Sequence, residues 1–247
     1  MLEEPFTGGA VSHVMPAGDA VLKIQWPHRE SEHEAAALQL WAGEGAVRLL
    51  AHDEERHALL LERCRPGTHL READSAVALE VLKALLPRLW KPAGPPFRPL
   101  ADEAAWWAGY IRDEWEAAGR PFEEELANAA VTALESLGPT QGEQVLIHQD
   151  LHADNVLAAQ REPWLAIDPK PLAGEREFAL ASIIRSVELG HSKSAVLGRL
   201  DTLTSSLGLD RERARGWAIG QTIAWSFGGW FQAQHVETAR WLLEAGK

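Results

Sequence analysis

Near its middle, the chain reads Val145-Leu-Ile-His148-Gln149-Asp150-Leu151-His152-Ala153-Asp154-Asn155-Val156-Leu157. An apolar segment runs into a dense group of polar residues and then directly into a second apolar segment. This pattern predicts a strand, a loop and another strand. A folded core tolerates such a loop only if its polar groups find partners. The loop is therefore the first place in this chain to look for chemistry.

A further apolar segment, Trp164–Ile167, ends in a carboxylate, Asp168. A strand end can hold such a group rigidly enough to bind a metal ion. Phosphoryl transfer in kinases uses an Asp as the base, an Asn soon after it as a metal ligand, and a later Asp as another metal ligand. Asp150, Asn155 and Asp168 match this template in type and order. Oxygen ligands of this kind, together with nucleotide phosphates, suit Mg²⁺.

The same template needs a lysine on a strand and a glutamate on the following helix. Lys23 lies in the alternating segment Ala20–Trp26, which predicts a strand. Glu34 shares a helical face with apolar residues, and a carboxylate on such a face needs a buried partner. We expect Glu34 to pair with Lys23, with Glu30 and Glu32 as competing candidates.

Two adjacent glycines, Gly8 and Gly9, precede the first predicted strand. Glycine allows a backbone to approach phosphates closely, so both are candidate nucleotide contacts. As a motif, two glycines carry little specificity.

The arrangement of predicted elements favours an α+β fold with two lobes. Predicted strands cover Val11–Met15, Ala20–Trp26, Ala46–Ala51 and Ala58–Arg63, and one predicted helix covers Glu30–Trp41. After Pro66-Gly67 helices dominate, at 74–90, 101–118, 122–137 and from 176 onward, with short strands at 144–147, 155–159 and 164–167 and a proline-rich loop at 91–99. We expect a strand-rich lobe at 1–63, a helical lobe at 64–247 and a cleft between them.

Composition narrows the classes of partner and compartment. The net charge of -12 disfavours nucleic acid and anionic membranes as partners and favours a cationic ligand. With one cysteine, Cys64, no internal disulfide can form, so a reducing cytoplasm is the expected location. We find no signal peptide and no apolar segment long enough for a membrane span.

Several stretches resemble the aminoglycoside phosphotransferase superfamily, and most closely its aminoglycoside/hydroxyurea resistance kinase branch, which includes streptomycin 6-kinases. The resemblance covers nearly the whole chain. The stretches that carry it are Leu22-Lys23-Ile24, Trp26-Pro27-His28, His33-Glu34-Ala35-Ala36-Ala37-Leu38, Leu59-Leu-Leu-Glu62-Arg63, His148-Gln-Asp-Leu-His-Ala-Asp-Asn155 and Ala166-Ile-Asp-Pro-Lys-Pro171.

The resemblance implies a protein-kinase-like fold, ATP with Mg²⁺, and transfer of a phosphoryl group to a hydroxyl of a small molecule. It implies that Asp150 is the catalytic base, with His148 beside it as a further candidate. Asn155 and Asp168 would hold the metal, and Lys23 the nucleotide phosphates. The segment Glu62 to Cys64 would be the hinge that binds adenine through its backbone.

This chain departs from the family pattern in two places. Relatives usually carry a longer extension before the glycine loop, whereas this chain begins almost at the loop. Relatives also tend to have an aspartate where Ala179 stands. That aspartate is expected to brace the catalytic loop, so its loss bears on the rigidity of the loop and on activity.

Two other functions compete with the kinase. A metallohydrolase could bind Zn²⁺ or Mn²⁺ through His148, Asp150, His152, Asp154 and Asp168. A pseudokinase-like module would bind nucleotide without turnover. The acceptor of a kinase would be a small molecule, expected to be cationic, with an aminoglycoside such as streptomycin as one candidate. Candidate acceptor-site residues are Trp106, Trp107, Trp225, Trp230, Asp102, Asp113, Glu114, Asp154 and Glu237.

Overall fold

In a computed structural model, the described residues are Phe6, 12–227 and 232–246. The amino-terminal part forms one antiparallel sheet with the strand order β1-β2-β4-β3. Its strands are β1 Ser12–Ala17, β2 Ala20–Gln25, β3 Leu49–Asp53 and β4 Ala58–Glu62. The alternation predicted for the second strand corresponds to a difference in burial between its two faces. Lys23 is only 5% exposed on the inner face, whereas Trp26, just beyond the strand, is 74% exposed.

The helix that packs on this sheet begins later than predicted. A short 3-10 turn covers Arg29–Ser31, and α1 then covers Glu34–Trp41. Between them His33 has a φ of 66°, in the left-handed region, which a right-handed helix cannot include. The predicted helix from Glu30 is therefore wrong in its first turn. Within α1, Glu34 and Trp41 lie on the buried face, as predicted.

Helices dominate the rest of the chain, as predicted. They are α2 Ser75–Leu89, α3 Leu100–Ala117, α4 Glu124–Leu137, α5 Ala181–Ile184, α6 Lys193–Leu207, α7 Arg211–Ala224 and α8 Ala233–Glu244. Helix α7 is the most enclosed, since it packs against α3, α4, α5, α6 and α8. A Cβ atom at Gly220 would lie 2.7 Å from the Leu134 side chain, so this glycine permits the close contact of α7 with α4.

Two small hairpins carry the central polar loop. Strand β5, Val145–His148, pairs with β8, Pro171–Gly174, and β6, Val156–Ala158, pairs with β7, Trp164–Ala166. Strand β8 was not predicted, because prolines and a glycine obscure its pattern. The pairing of β5 with β8 and of β6 with β7 brings the two polar segments, residues 148–155 and 168–170, side by side.

Contacts at two separate places join the sheet to the helical part. Arg161, in the turn between β6 and β7, binds both carboxylate oxygens of Glu62 at 2.9 Å. Elsewhere Arg29 lies 2.7 Å from the buried carboxylate of Glu103 on α3. We place the lobe boundary after residue 63, as the sequence suggests, and this division remains a proposal. No helix within the described ranges has the length and apolarity that crossing a membrane requires.

A buried carboxylate, Glu175, anchors α7. It accepts hydrogen bonds from Arg213 at 2.8 to 3.2 Å and from the indole of Trp217. We expect Glu175→Gln to lower the free energy of unfolding by about 1–3 kcal/mol, because Arg213 loses its charged partner. Denaturant unfolding measures the change. The matched control is Glu143→Gln, which breaks a surface pair with Arg176 and should cost less than ~1 kcal/mol. Equal losses in both variants would contradict the anchoring role.

Candidate active site

The predicted pair of Lys23 and Glu34 forms. The Lys23 ammonium lies 2.8 and 2.7 Å from the two carboxylate oxygens of Glu34, and both residues are buried. Lys23 also contacts Asp168, so it joins the sheet to the predicted metal site. Burial lowers the pKa of Lys23, but the two carboxylates raise it more, and the net shift is upward. Of the competing candidates, Glu32 pairs with Arg98 instead, whereas Glu30 makes no direct ion pair with any described residue.

Asp168 stands directly after β7 in a left-handed conformation, with a φ of 54°. Burial raises the pKa of its carboxyl group, but Lys23 and Lys170 lower it more, to about 2. The carboxylate is therefore ionised and partly exposed to the cleft. A negatively charged oxygen ligand of this kind fits a Mg²⁺ site.

Asn155 lies on the same cleft, with its amide oriented by the loop. Its Nδ2 atom donates to the backbone carbonyl of Asp150 at 2.9 Å. Its Oδ1 atom accepts no hydrogen bond from the described part of the chain, so this oxygen can serve as a ligand. Asn155 and Asp168 together thus fit the predicted metal site.

Asp150 is buried among cations at the end of β5. Its Oδ2 atom contacts Lys170, and its Oδ1 atom lies 3.2 Å from Arg185 and 3.7 Å from the imidazole of His152. Burial raises the pKa of Asp150, but Lys170, His152 and Arg185 lower it more, so the carboxyl group is ionised. An ionised carboxylate can accept a proton from a hydroxyl group, as the predicted base must.

His148 is 3% exposed and has both ring nitrogens in use. Its Nε2 atom lies 2.9 Å from the carbonyl of Ile167, and its Nδ1 atom accepts from the backbone N–H of Asp150 at 3.3 Å. Burial lowers the pKa of His148 to about 4, so the ring is neutral near pH 7. These contacts link the Asp150 segment to the Asp168 segment, and they fit a positioning role better than proton transfer.

A cleft of about 660 Å³ opens between the sheet and the central hairpins. Apolar side chains from the sheet and from the central hairpins line it, together with Lys23, Asn155 and Asp168. The apolar side chains are Val14, Val21, Val47, Leu61, Leu157 and Ile167. A flat apolar base such as adenine fits between two such walls.

The predicted hinge, Glu62 to Cys64, borders this cleft. The Glu62 side chain binds Arg161, and its backbone N–H donates to the carbonyl of Arg48 at 2.9 Å, so neither group is available to a ligand. The backbone N–H and carbonyl of Cys64 make no hydrogen bond with any residue in the described ranges. These are the groups that a hinge offers to adenine. Burial raises the pKa of the Cys64 thiol to about 11, which keeps it protonated and unreactive. Gly8 and Gly9 lie outside the described residues.

Three charged residues of the site were given no role from the sequence: Lys170, Arg185 and Glu188. Lys170 belongs to the segment that carries Asp168, so its spacing gave a usable signal. Arg185 and Glu188 come from the region after β8 and reach the loop only through folding. Glu188 accepts from the backbone N–H of Ala153 at 3.1 Å and lies 2.8 Å from the His152 ring.

The loop at 148–155 is braced although Ala179 lacks a carboxylate. Ser182 donates to the carbonyl of Leu151 at 2.8 Å. Gln221 on α7 donates to the carbonyl of Gln149 at 3.0 Å and accepts from Arg185 at 2.5 Å. Hydrogen bonds from the helices thus hold the loop where relatives are expected to use an aspartate.

The candidate acceptor residues differ in where they lie. Trp107 is 1% exposed and packs on Phe178, so it belongs to the core and cannot line a pocket. Trp225 lies beside the catalytic loop, with the Arg185 guanidinium 4.3 Å from its ring centre. Trp106 is exposed, and the Arg29 guanidinium lies over its ring. Asp154 pairs with Arg71 at 2.8 Å. Trp230 lies outside the described residues.

A possible transition-metal site differs from the one suggested by the sequence. His148 has no nitrogen available for a metal. Within the described ranges, one group of potential ligands, His152, Asp154 and Glu188, has atoms within 4.8 Å of one another. His152 and Glu188 are hydrogen-bonded to each other, and Asp154 pairs with Arg71.

Comparison with known proteins assigns this arrangement to a family. Residues 7–233 match the family model described as aminoglycoside/hydroxyurea antibiotic resistance kinase. The chain is 42% identical to a hydroxyurea phosphotransferase of Kitasatospora aureofaciens and 39% identical to a streptomycin 6-kinase of Streptomyces griseus, over 83% of this chain in each case. It spans 60% of the length of the first relative and 68% of the second.

Solved structures agree on the fold. The crystal structure of choline kinase LicA from Streptococcus pneumoniae matches with a TM-score of 0.70 and 14% identity, covering 100% of this chain and 94% of that one. At this identity the likeness concerns the fold alone. It confirms the predicted two-lobed kinase fold.

Proposed function

This chain belongs to the aminoglycoside/hydroxyurea antibiotic resistance kinase family, and we propose that it transfers the terminal phosphoryl group of ATP, with Mg²⁺, to a hydroxyl group of a small molecule. The observation that carries this proposal is a convergence around one cleft. Lys23, Asn155 and Asp168 line this cleft from separate segments. Glu34 binds Lys23, and the ionised Asp150 lies 3.4 Å from the Nδ2 atom of Asn155.

In the proposed reaction each group has one task. Lys23 holds the nucleotide phosphates, and Glu34 fixes the position of its ammonium group. The backbone of Cys64 binds the adenine edge. Asp150 accepts the proton of the acceptor hydroxyl, and His148 holds the loop so that Asp150 stays in place. Such positioning provides much of the catalysis in phosphoryl transfer.

Asn155 and Asp168 are the residues that would hold Mg²⁺. The free amide oxygen of Asn155 and the ionised carboxylate of Asp168 support this role, since Mg²⁺ prefers oxygen ligands. When bound, the ion neutralises negative charge on the donor phosphates.

The direct test is a screen for ADP release from ATP and Mg²⁺. The acceptors are streptomycin, other aminoglycosides, hydroxyurea and simple sugars, each with mass analysis of the product. We expect one class to stimulate ADP release and to gain the mass of one phosphate. Nucleotide binding without turnover on any acceptor would favour the pseudokinase-like alternative, and tightly bound zinc in the purified protein would favour the metallohydrolase.

We propose a cationic acceptor, with an aminoglycoside such as streptomycin as the leading candidate. Its support is the net charge of -12 and the similarity to a streptomycin 6-kinase. The similarity to a hydroxyurea phosphotransferase gives a neutral alternative. Because Cys64 is a free thiol, we propose the reducing cytoplasm as the location.

Salt should separate the two acceptor classes. For a cationic acceptor we expect KM to rise by roughly 2- to 10-fold from low to high ionic strength while kcat changes less, because salt screens long-range attraction. Steady-state kinetics with ATP and Mg²⁺ held saturating would measure it. Hydroxyurea, which is neutral, should have almost the same KM throughout. A good acceptor whose KM does not change with ionic strength would contradict the cationic assignment.

A further inference from the structure

Lys170 lies between the two carboxylates of the site. Its ammonium contacts the Oδ2 atom of Asp150 and lies 3.9 Å from the Oδ2 atom of Asp168. Its side chain is 16% exposed, and it borders a second, small cavity that Lys23 and Asp168 also line. The Lys170 carbonyl accepts from the backbone N–H of Gln149 at 3.2 Å, which fixes the residue relative to the catalytic loop. The ammonium is therefore held at a defined place.

The need to neutralise the Asp150 carboxylate does not explain why Lys170 is placed here. The other oxygen of Asp150 already has a buried cation, Arg185, at 3.2 Å. Burying a second ammonium is costly, and one cation suffices to neutralise one carboxylate. Lys170 also faces Asp168, which Lys23 already contacts. Lys23 is itself shared with Glu34, so Lys170 is not a surplus charge. What distinguishes Lys170 is its place, because its ammonium group bridges the proposed base and the proposed metal ligand.

We propose that Lys170 is a catalytic residue that contacts the transferring phosphoryl group. This inference rests on the proposed function. The donor phosphates would lie at Asp168 and the acceptor hydroxyl at Asp150, so the phosphoryl group must pass between these two carboxylates. Lys170 is the ammonium group that reaches both. A fixed cation at the point where negative charge develops stabilises a transition state.

In the proposed step, the acceptor oxygen forms a bond to the γ-phosphorus of ATP. The bond from that phosphorus to the β,γ-bridging oxygen breaks, and its electron pair leaves with ADP. The acceptor proton goes to the carboxylate of Asp150. Lys170 remains an ammonium group throughout and donates hydrogen bonds to the phosphoryl oxygens, whose negative charge it balances.

The test measures binding rather than turnover. A metal fluoride added to ADP and Mg²⁺ imitates the transferring phosphoryl group, whereas ADP alone leaves its place unfilled. In the wild-type protein, we expect aluminium fluoride to tighten ADP binding. In Lys170→Met, we expect the fluoride complex to bind roughly 10- to 100-fold more weakly, as for the loss of one charge-assisted hydrogen bond. Affinity for ADP alone should stay the same.

Three further variants make the test decisive. Lys170→Gln keeps a donor for Asp150 but not the charge, and it should lose the fluoride effect as Lys170→Met does. Lys170→Arg keeps the charge and should recover part of the effect. Lys193→Met removes a surface lysine that pairs with Glu244, and it should change neither affinity. Thermal melting establishes whether each variant is folded. If Lys170→Met is not folded, Lys170→Gln decides the test.

The possible failures are distinct. If the wild-type protein does not bind ADP with Mg²⁺, the proposed kinase function fails. If the wild-type protein binds ADP and fluoride increases that affinity, but fluoride increases it equally in folded Lys170→Gln, the role of Lys170 is overturned while the kinase function stands.

Discussion

Asp150→Asn should lower turnover of the true acceptor by roughly 10²- to 10⁴-fold, the usual contribution of a positioned general base. Asparagine has nearly the same shape as aspartate but cannot take the proton of the hydroxyl. Affinity for ATP should change little, because Asp150 faces the acceptor in the proposed arrangement. Steady-state kinetics with the acceptor found by the screen, together with calorimetry for ATP, measure both quantities.

This substitution also removes charge from a buried cluster. Lys170 and Arg185 both contact Asp150, so the variant should melt at a lower temperature. Kinetics must therefore be measured well below that temperature. Asp53→Asn serves as the control, because Asp53, at the end of β3, forms a surface pair with Arg56, and its substitution should leave turnover unchanged. Near-normal turnover in folded Asp150→Asn would remove Asp150 as the base.

Asp168→Asn should weaken Mg²⁺-dependent ATP binding by roughly 10- to 100-fold, the factor expected for one lost charge-assisted contact. The substitution isolates charge unusually well. Asp168 has a φ of 54°, and asparagine tolerates this left-handed conformation better than most residues. Backbone strain therefore does not accompany the change, as it would with alanine.

Calorimetry with ATP, with and without Mg²⁺, measures this effect. The difference between the two conditions should shrink in Asp168→Asn, and turnover should fall with it. Asn155→Ala tests the other ligand in the same way. If the wild-type protein and Asp168→Asn depend equally on Mg²⁺, Asp168 is not a metal ligand.

Much of the site was predictable because its chemistry is encoded in short segments. The spacing of Asp150 and Asn155, and the place of Asp168 after an apolar strand, are local features that a kinase template can match. The pairing of Lys23 with Glu34 followed from a carboxylate on an apolar helical face. The assigned roles stay predictions, whereas the pairing itself is present in the structure.

Other features arise only through tertiary contacts. Arg185 looks like any helix cation in the sequence, and its role appears only when folding brings it to Asp150. The late start of α1 depends on a single left-handed residue, His33, which has no distinctive local pattern. Trp107 could not be separated from Trp225 by composition, although one is a core residue and the other lies beside the loop.

Two of the contacts that join the lobes bear on the entropy of nucleotide binding. Arg161 holds Glu62 at the hinge, and Arg29 holds Glu103 on α3, before any ligand arrives. A protein whose lobes moved independently would lose that freedom on binding and would bind more weakly for it. Here much of this ordering is already present in the free chain. These contacts between the lobes thus act as preorganisation, and more of the interaction energy with the nucleotide is retained as affinity.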